Sequence, residues 1–219
     1  MNVLIIGAGN MGRGIATRLV NSNANLIIHD IDAAKAQALA TELGGIADSS
    51  RVKVTTALTA AVATSDIVIL ASWYAVNLET ARTLGSALDS KIVVDISNPL
   101  NENYDGLVTE PGTSAAELIR AVLPANAKLL KAFNTTFAGT LVAGEVAGQL
   151  LDVFIAGDDD TAKRTLADLL RTGGLNPVDV GALERARQLE ALGFLGITLQ
   201  FRLNTGFGTA WKLTLPVAA

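Results

Sequence analysis

The sequence predicts an α/β chain built on a doubly wound parallel sheet, and three observations carry that reading. Short β-branched runs alternate with amphipathic stretches up to about residue 150, which is the pattern of βαβ units. The runs are almost continuously apolar rather than alternating, as strands are when helices cover both faces of their sheet. The first run, VLII, leads straight into GAGNMG and an apolar-periodic stretch, so the glycines stand between a strand and a helix.

Taken in order, strands are expected near Val3–Ile6, Leu26–His29, Val52–Val54, Ile67–Ala71, Ile92–Asp95 and Leu129–Phe133. Helical periodicity fills Met11–Val20, Ala33–Leu43, Asn77–Leu88 and Ser114–Leu123. Residues 1–150 thus read as a Rossmann-type dinucleotide-binding domain. The texture changes after Leu150: a DVFIAG strand, a helix over Thr161–Arg171, a short strand at Pro177–Val180 and a long helix from Leu183 toward Leu203. These make residues 151–219 a small C-terminal α/β lobe. The turn-rich loop Asn98–Gly112 sits where such sheets bind ligands.

Composition narrows the function. With 219 residues and half of them hydrophobic, the chain buries one core and a small appendage. No apolar run reaches the roughly 18 residues a membrane span needs, and Ala191–Leu199, the richest segment, reads as a buried helix. The N-terminus shows no basic leader, so no signal peptide is expected and the cytoplasm is the default compartment. A net charge of −4 argues against nucleic acid or an anionic membrane as partner. Without cysteine there is no disulfide, thiol nucleophile or thiolate metal site, and one histidine leaves little for a zinc site or a Ser–His–Asp triad. No metal is expected.

GAGNMG fits the G-x-G-x-x-G fingerprint: Gly7 for the tight turn, Gly9 for close approach of the backbone to a pyrophosphate, Gly12 for helix–strand packing. With Asn10 and Met11 these residues form the expected phosphate-binding turn, at a helix N-terminus with free N–H groups. Asp30 ends the second strand about 20 residues further on, where a carboxylate accepts hydrogen bonds from the adenosine ribose. Its charge repels a 2′-phosphate and no arginine follows it, so the local charge favours NAD over NADP. His29 reads as a strand-end residue held by backbone or solvent, and Asp32 as the N-cap of the next helix.

Beyond the glycine motif, IIGAGNMGRGIA, VVDISNPLN, TSAAELIRAVLP, KAFNTTFAGTL and ERARQLEALGFL together resemble the NADPH-dependent deazaflavin (coenzyme F420) reductases. The cytosolic dinucleotide domain of the membrane metalloreductases is similar too. The resemblance spans almost the whole chain and implies hydride exchange between a nicotinamide, NAD or NADP, and a flavin or F420-type deazaflavin. It implies a homodimer, which the apolar Leu189–Leu199 stretch would serve. By position it implies that Ala71 and Ser72 border the cofactor, that Ser97, Asn98 and Pro99 lie near the nicotinamide ribose, and that Asn134 and Thr135 face the small-molecule acceptor. The sequence departs from archaeal members, which tend to carry histidine at Asn134 and a Ser-Arg pair at Asp30-Ile31.

No side chain stands out as the catalyst, and hydride transfer between stacked rings needs none: the protein orients the rings and excludes water. Lys131-x-x-Asn134 has a superficial likeness to the lysine and asparagine of β-hydroxyacid dehydrogenases and imine reductases, but those enzymes need a long helical domain that is absent here. A non-catalytic dinucleotide-sensing module is the other alternative.

Overall fold

β1 (Asn2–Ile6) shows why the strand runs are unbroken in apolar character. Val3 and Ile5 enter a core on one face of the sheet, with Ile15, Leu19, Leu166 and Leu170, while Leu4 enters a second core on the other, with Val62, Val68, Ala81 and Ile119. Successive side chains of a strand point to opposite faces, so burial of both faces leaves no polar positions. A computed structural model describes residues 1–214 and Pro216. Residue 215 and residues 217–219, at the end of the expected lobe, lie outside the described residues.

The elements follow as α1 (Asn10–Leu19), β2 (Asn25–His29), α2 (Ala33–Gly44), β3 (Val52–Val54), α3 (Leu58–Thr64), β4 (Ile67–Leu70) and α4 (Tyr74–Leu84). Then come β5 (Ile92–Asp95), α5 (Ala115–Arg120), β6 (Lys128–Lys131), α6 (Ala138–Ala143) and a small hairpin, β7 (Glu145–Val146) with β8 (Gln149–Leu150). The chain closes with β9 (Asp152–Gly157), α7 (Asp160–Thr172), β10 (Asn176–Gly181) and α8 (Ala186–Leu203). The fourth strand stops at Leu70, leaving Ala71 to bond back through its N–H to Ile6 O at 2.8 Å. Helix α4 starts at Tyr74, earlier than its periodicity suggests, and stops where Gly85 takes a φ of 45°. Neither α3 nor α6 is anticipated by the sequence. Each is too short to show a periodicity, and α3 buries no more than Ala61 and Val62.

The large sheet has eight strands in the order β10-β9-β6-β5-β4-β1-β2-β3. β1 to β6 pair parallel with one another and form the doubly wound order, with the switch point between β1 and β4. The fold is a Rossmann-like α/β fold. The boundary expected after residue 150 falls inside this sheet: β9 pairs antiparallel with β6 and β10 parallel with β9. All six residues of β9 are buried, so a strand opening the expected lobe is itself core.

The segment after α8 returns to that strand. Asp152, at the head of β9, accepts hydrogen bonds from Asn176 Nδ2 at 2.7 Å, Lys212 Nζ and Leu213 N at 2.7 Å. Trp211 packs beside Leu189, Leu192 and Val178. Burial works against charge on Asp152, but the bonds from Asn176, Lys212 and Leu213 outweigh it and hold the carboxyl below its ordinary value. A depressed pKa in the folded state contributes stability above the unfolded value, about 3.9, and that stability is lost as pH falls through the folded value. Asp152→Asn is expected to lower stability at neutral pH by about 2 kcal/mol, the scale of one charge-assisted bond. Denaturant titrations at several pH values should show the gap to wild type constant above about pH 5 and closing below about 3.9.

Candidate active site

The first βα turn is seated by steric fit. Gly7 has a φ of 113°, and a Cβ there would lie 2.6 Å from Ala71 O; a Cβ at Gly12 would lie 1.9 Å from Gly7 O. Gly7 therefore permits the turn, and Gly12 lies beneath it and does not line the cleft above. Gly9 caps α1 without any side-chain bond, a Cβ on it would meet nothing within 4 Å, and no acidic residue stands in the first turn of the helix. Its free N–H groups and positive dipole end are left available, an arrangement that fits a pyrophosphate.

Asp30 does more than end a strand. Its Oδ2 accepts the N–H of Ala8 at 2.7 Å and its Oδ1 that of Asp32 at 2.9 Å, so one carboxylate ties the glycine turn to the head of α2. Asp32 is the cap of that helix, accepting from Ala34 N at 3.0 Å. His29 is held through Nδ1, 2.9 Å from Thr55 O, and does not line the cleft. Two cations that the motif gives no sign of, Arg13 and Lys35, share the wall with Asp30. Arg13 is a bidentate partner of Glu42, Nε to Oε2 at 2.8 Å and Nη2 to Oε1 at 2.7 Å.

From this turn a cleft of about 1000 Å³ runs along the carboxyl ends of the strands. Gly7, Gly9, Asn10, Met11 and Asp30 line one end. Ala71, Ser72 and Trp73 follow β4, and Ser97 and Asn98 follow β5. Beyond β6 come Asn134, Thr136 and Phe137, with Ile197 and Phe201 of α8 and Phe207 from the segment after it. Phe137, Phe201 and Phe207 meet edge to face, with ring centres 5.3 and 5.6 Å apart. Pro99 and Thr135 are buried and do not line the cleft, whereas Thr136 does. The cause is the turn after β6. Phe133 takes a φ of 63°, and its carbonyl accepts both the N–H (3.0 Å) and the hydroxyl (2.7 Å) of Thr136, so Thr136 takes the place on the cleft.

Asn134 is a lock rather than an open contact. Its Nδ2 donates to Asn98 Oδ1 at 2.9 Å and to Leu189 O at 2.8 Å, while Asn98 Nδ2 donates to Asn134 O at 2.8 Å. Its own Oδ1 is buried without a partner among the described residues. Helix α8 rests on this pair at Gly193, where a Cβ would come 2.6 Å from Asn98 Oδ1 and 2.8 Å from Asn134 O.

Beneath the loops lies a cluster of charges invisible in any one motif. Lys131 is fully buried, and its Nζ bonds Asp95 Oδ2 at 2.7 Å, Glu190 Oε1 at 2.9 Å and the carbonyl of Ser97. Asp95 Oδ1 accepts from Asn77 Nδ2 (2.9 Å), Ser97 Oγ (2.8 Å) and Ser97 N (3.2 Å). Glu190 accepts the N–H groups of Ala115 and Ala116 at 2.9 and 3.2 Å. Burial would lower the pKa of Lys131, but the two carboxylates outweigh it and keep the ammonium above its ordinary value. Burial pushes the Glu190 carboxyl up, against the pull of Lys131. Tyr74 is raised first by burial and then by the charge of Glu190. Lys131 is thus a buried ion-pair partner and not a lysine facing a substrate.

Residues 2–99 match the family model described as NADP oxidoreductase, coenzyme F420-dependent. Over those residues the chain is similar to this family. The chain is 26% identical over 211 residues to the F420-dependent NADP reductase of Methanothermobacter marburgensis, covering 92% of itself and 93% of that protein. It is 30% identical over 188 residues to the rat metalloreductase STEAP3, covering 86% of itself but spanning only 35% of that protein's length. In three dimensions it matches a candidate F420-dependent NADP-reductase from Arthrobacter sp. FB24 with a TM-score of 0.83 at 27% identity, over 98% of this chain and all of the other. Among the described residues no helix is long and apolar enough to cross a membrane.

The seat of α8 gives a direct test. Gly193→Ala overpacks the Asn98–Asn134 pair, at a cost of about 1–3 kcal/mol. Thermal unfolding should fall by about 2–12 °C for a chain of this size. Gly139→Ala, on the cleft wall in α6 with nothing within 4 Å of the new Cβ, should leave the midpoint unchanged or raise it.

Proposed function

We propose that this chain is an oxidoreductase that exchanges a hydride between NADP(H) and a planar redox ring, an F420-type deazaflavin or a flavin. The observation that carries the reading is the cleft itself. Its charged side chains, Arg13 of α1, Asp30 after β2 and Lys35 of α2, stand about the glycine turn, and its far end is walled by Phe137, Phe201 and Phe207. A polar end suits a dinucleotide's phosphates and adenosine ribose, and an aromatic end suits a flat heterocycle. The family match and the Methanothermobacter relative, named as an F420-dependent NADP reductase, point to the same pair of substrates.

When bound, the nicotinamide supplies or takes the hydride. The residues of the chain have three tasks. The turn from Gly7 to Gly12 and the start of α1 anchor the pyrophosphate. Ser72, Ser97 and Asn98 border the nicotinamide ribose; Asn77 and Asp95 hold Ser72 and Ser97 from below, and Asn134 holds Asn98. The aromatic side chains and Ile197 exclude water from the reacting rings, which raises the yield of direct transfer without an acid or base. The buried, ion-paired Lys131 weighs against an imine reductase or β-hydroxyacid dehydrogenase chemistry.

Cofactor choice turns on Asp30. Its oxygens are drawn inward by Ala8 N and Asp32 N, while Lys35 on the same wall can meet a 2′-phosphate and Arg13 beside it is paired with Glu42. The same reading carries a cytoplasmic homodimer, for which the exposed Leu195, Phe201 and Leu203 of α8 supply apolar surface. The test follows the loss of reduced-nicotinamide absorbance with F420 and with flavin as acceptors. Turnover with NADPH is expected, and binding without turnover for every acceptor would contradict the assignment. An exposed charge pair contributes up to about 1 kcal/mol, so Lys35→Ala should reduce the preference for NADPH over NADH by about fivefold.

A further inference from the structure

The connections of the buried cluster around Lys131 run upward to the cleft. From α8, Glu190 reaches Lys131 on β6; Lys131 reaches Asp95 on β5; Asp95 reaches Asn77 on α4. Asn77 Oδ1 accepts the N–H of Ser72 at 3.1 Å and its Nδ2 also bonds Leu70 O at 2.9 Å. Asp95 and Lys131 together hold the N–H, hydroxyl and carbonyl of Ser97. Both cleft-lining serines are therefore bonded to one buried polar chain, whose far end is a helix. That helix carries Ile197 and Phe201 into the same cleft, two and three turns beyond Glu190 on the same face.

We propose that Glu190 is a positioning residue: through Lys131 and Asp95 it sets the distance between the α8 wall of the cleft and the loops of Ser72 and Ser97. The inference rests on the hydride-transfer reading and adds to it a determinant of donor–acceptor distance. Glu190 touches neither ring. Its carboxylate fixes α8 in two directions, onto Lys131 by the ion pair and onto the start of α5 by the N–H groups of Ala115 and Ala116. Gly193 allows the helix to close onto Asn98 and Asn134 one turn later. An arm one bond shorter or a weaker pair lets α8 settle differently against the loops, and a misplacement of about 1 Å costs about 100-fold in rate.

The experiment uses the full chain and the isosteric variant Glu190→Gln, with NADPH as probe. Three quantities are read on the folded protein: the dissociation constant of NADPH, the fluorescence lifetime of its bound nicotinamide, and the single-turnover rate of hydride transfer to F420. The proposal expects affinity within about threefold of wild type, a lifetime moved toward that of free NADPH, and a rate lower by about 10- to 100-fold. A purely structural role would lower the melting temperature and leave both lifetime and rate of the folded variant unchanged, which would overturn the proposal. Should the Gln variant fail to fold, Glu190→Asp keeps the charge and shortens the arm; it must show the same split, and wild-type behaviour in it would equally overturn the proposal. If wild-type protein reduces neither F420 nor flavin, the acceptor reading fails, and the lifetime measurement alone decides the role of Glu190.

Discussion

The contact on which the rest depends is the meeting of Lys131 with Asp95 and Glu190, each essentially removed from water. Removing a charge from water costs several kcal/mol per ion, and ion pairing in the interior often does no better than well-packed apolar groups. A triad with two carboxylates and one ammonium is therefore a poor way to gain stability. Its value lies in geometry: each oxygen and proton has a partner in a fixed direction, on β5, β6, α4, α5 and α8 at once. The apolar cores on either face hold the sheet together. The buried charges decide how the cleft-lining elements stand relative to one another.

That division of labour suits a reaction with few chemical demands. The cleft presents its charges near the glycine turn and aromatic side chains at the far end, so in the proposed reading affinity and chemistry come from different parts of the chain. The glycine turn offers backbone N–H groups, which carry no information about an acceptor. The aromatic end of the cleft draws on α8 and the segment that follows it, and that segment is held by the carboxylate of Asp152 and by Trp211. The C-terminal residues thus complete the cleft of the first 150 residues while sharing their sheet.

Much of this was legible in the sequence, for definable reasons. The six parallel strands announce themselves because both faces are buried and their runs are uninterrupted. GAGNMG is readable because its glycines answer to hard steric limits, and Gly7, Gly9, Asn10, Met11, Asp30, Ala71, Ser72, Ser97, Asn98 and Asn134 do meet along one cleft. The short helices α3 and α6 escaped because fewer than two turns carry no measurable period. That Thr136 rather than Thr135 lines the cleft was not legible, because a left-handed Phe133 cannot be inferred from a bulky residue type that disfavours it. Arg13 and Lys35 look like ordinary helix-surface charges until α1 and α2 are set side by side. The triad was hidden most deeply. Lys131 reads as a strand-end cation and Glu190 as one more helical acid, and only the pairing of β5 with β6 and the descent of α8 bring them together. The ERARQLEALGFL motif marked the helix, and the structure supplies its physical content: Leu189 and Glu190 are buried, and Arg187 pairs with Glu117 of α5 at 2.5 Å.

The claim that one buried chain fixes these elements together is most directly tested by amide hydrogen exchange on wild type and Lys131→Met. The N–H groups of Ser72, Ser97, Ala115 and Ala116 all donate to side chains of the chain, and none bonds to Lys131 itself. If the chain acts as one unit, removing the ammonium lowers the protection of all four together, in three separate segments of the fold. Loss of protection confined to Ser97, with Ser72 and the start of α5 exchanging as in wild type, would contradict the account.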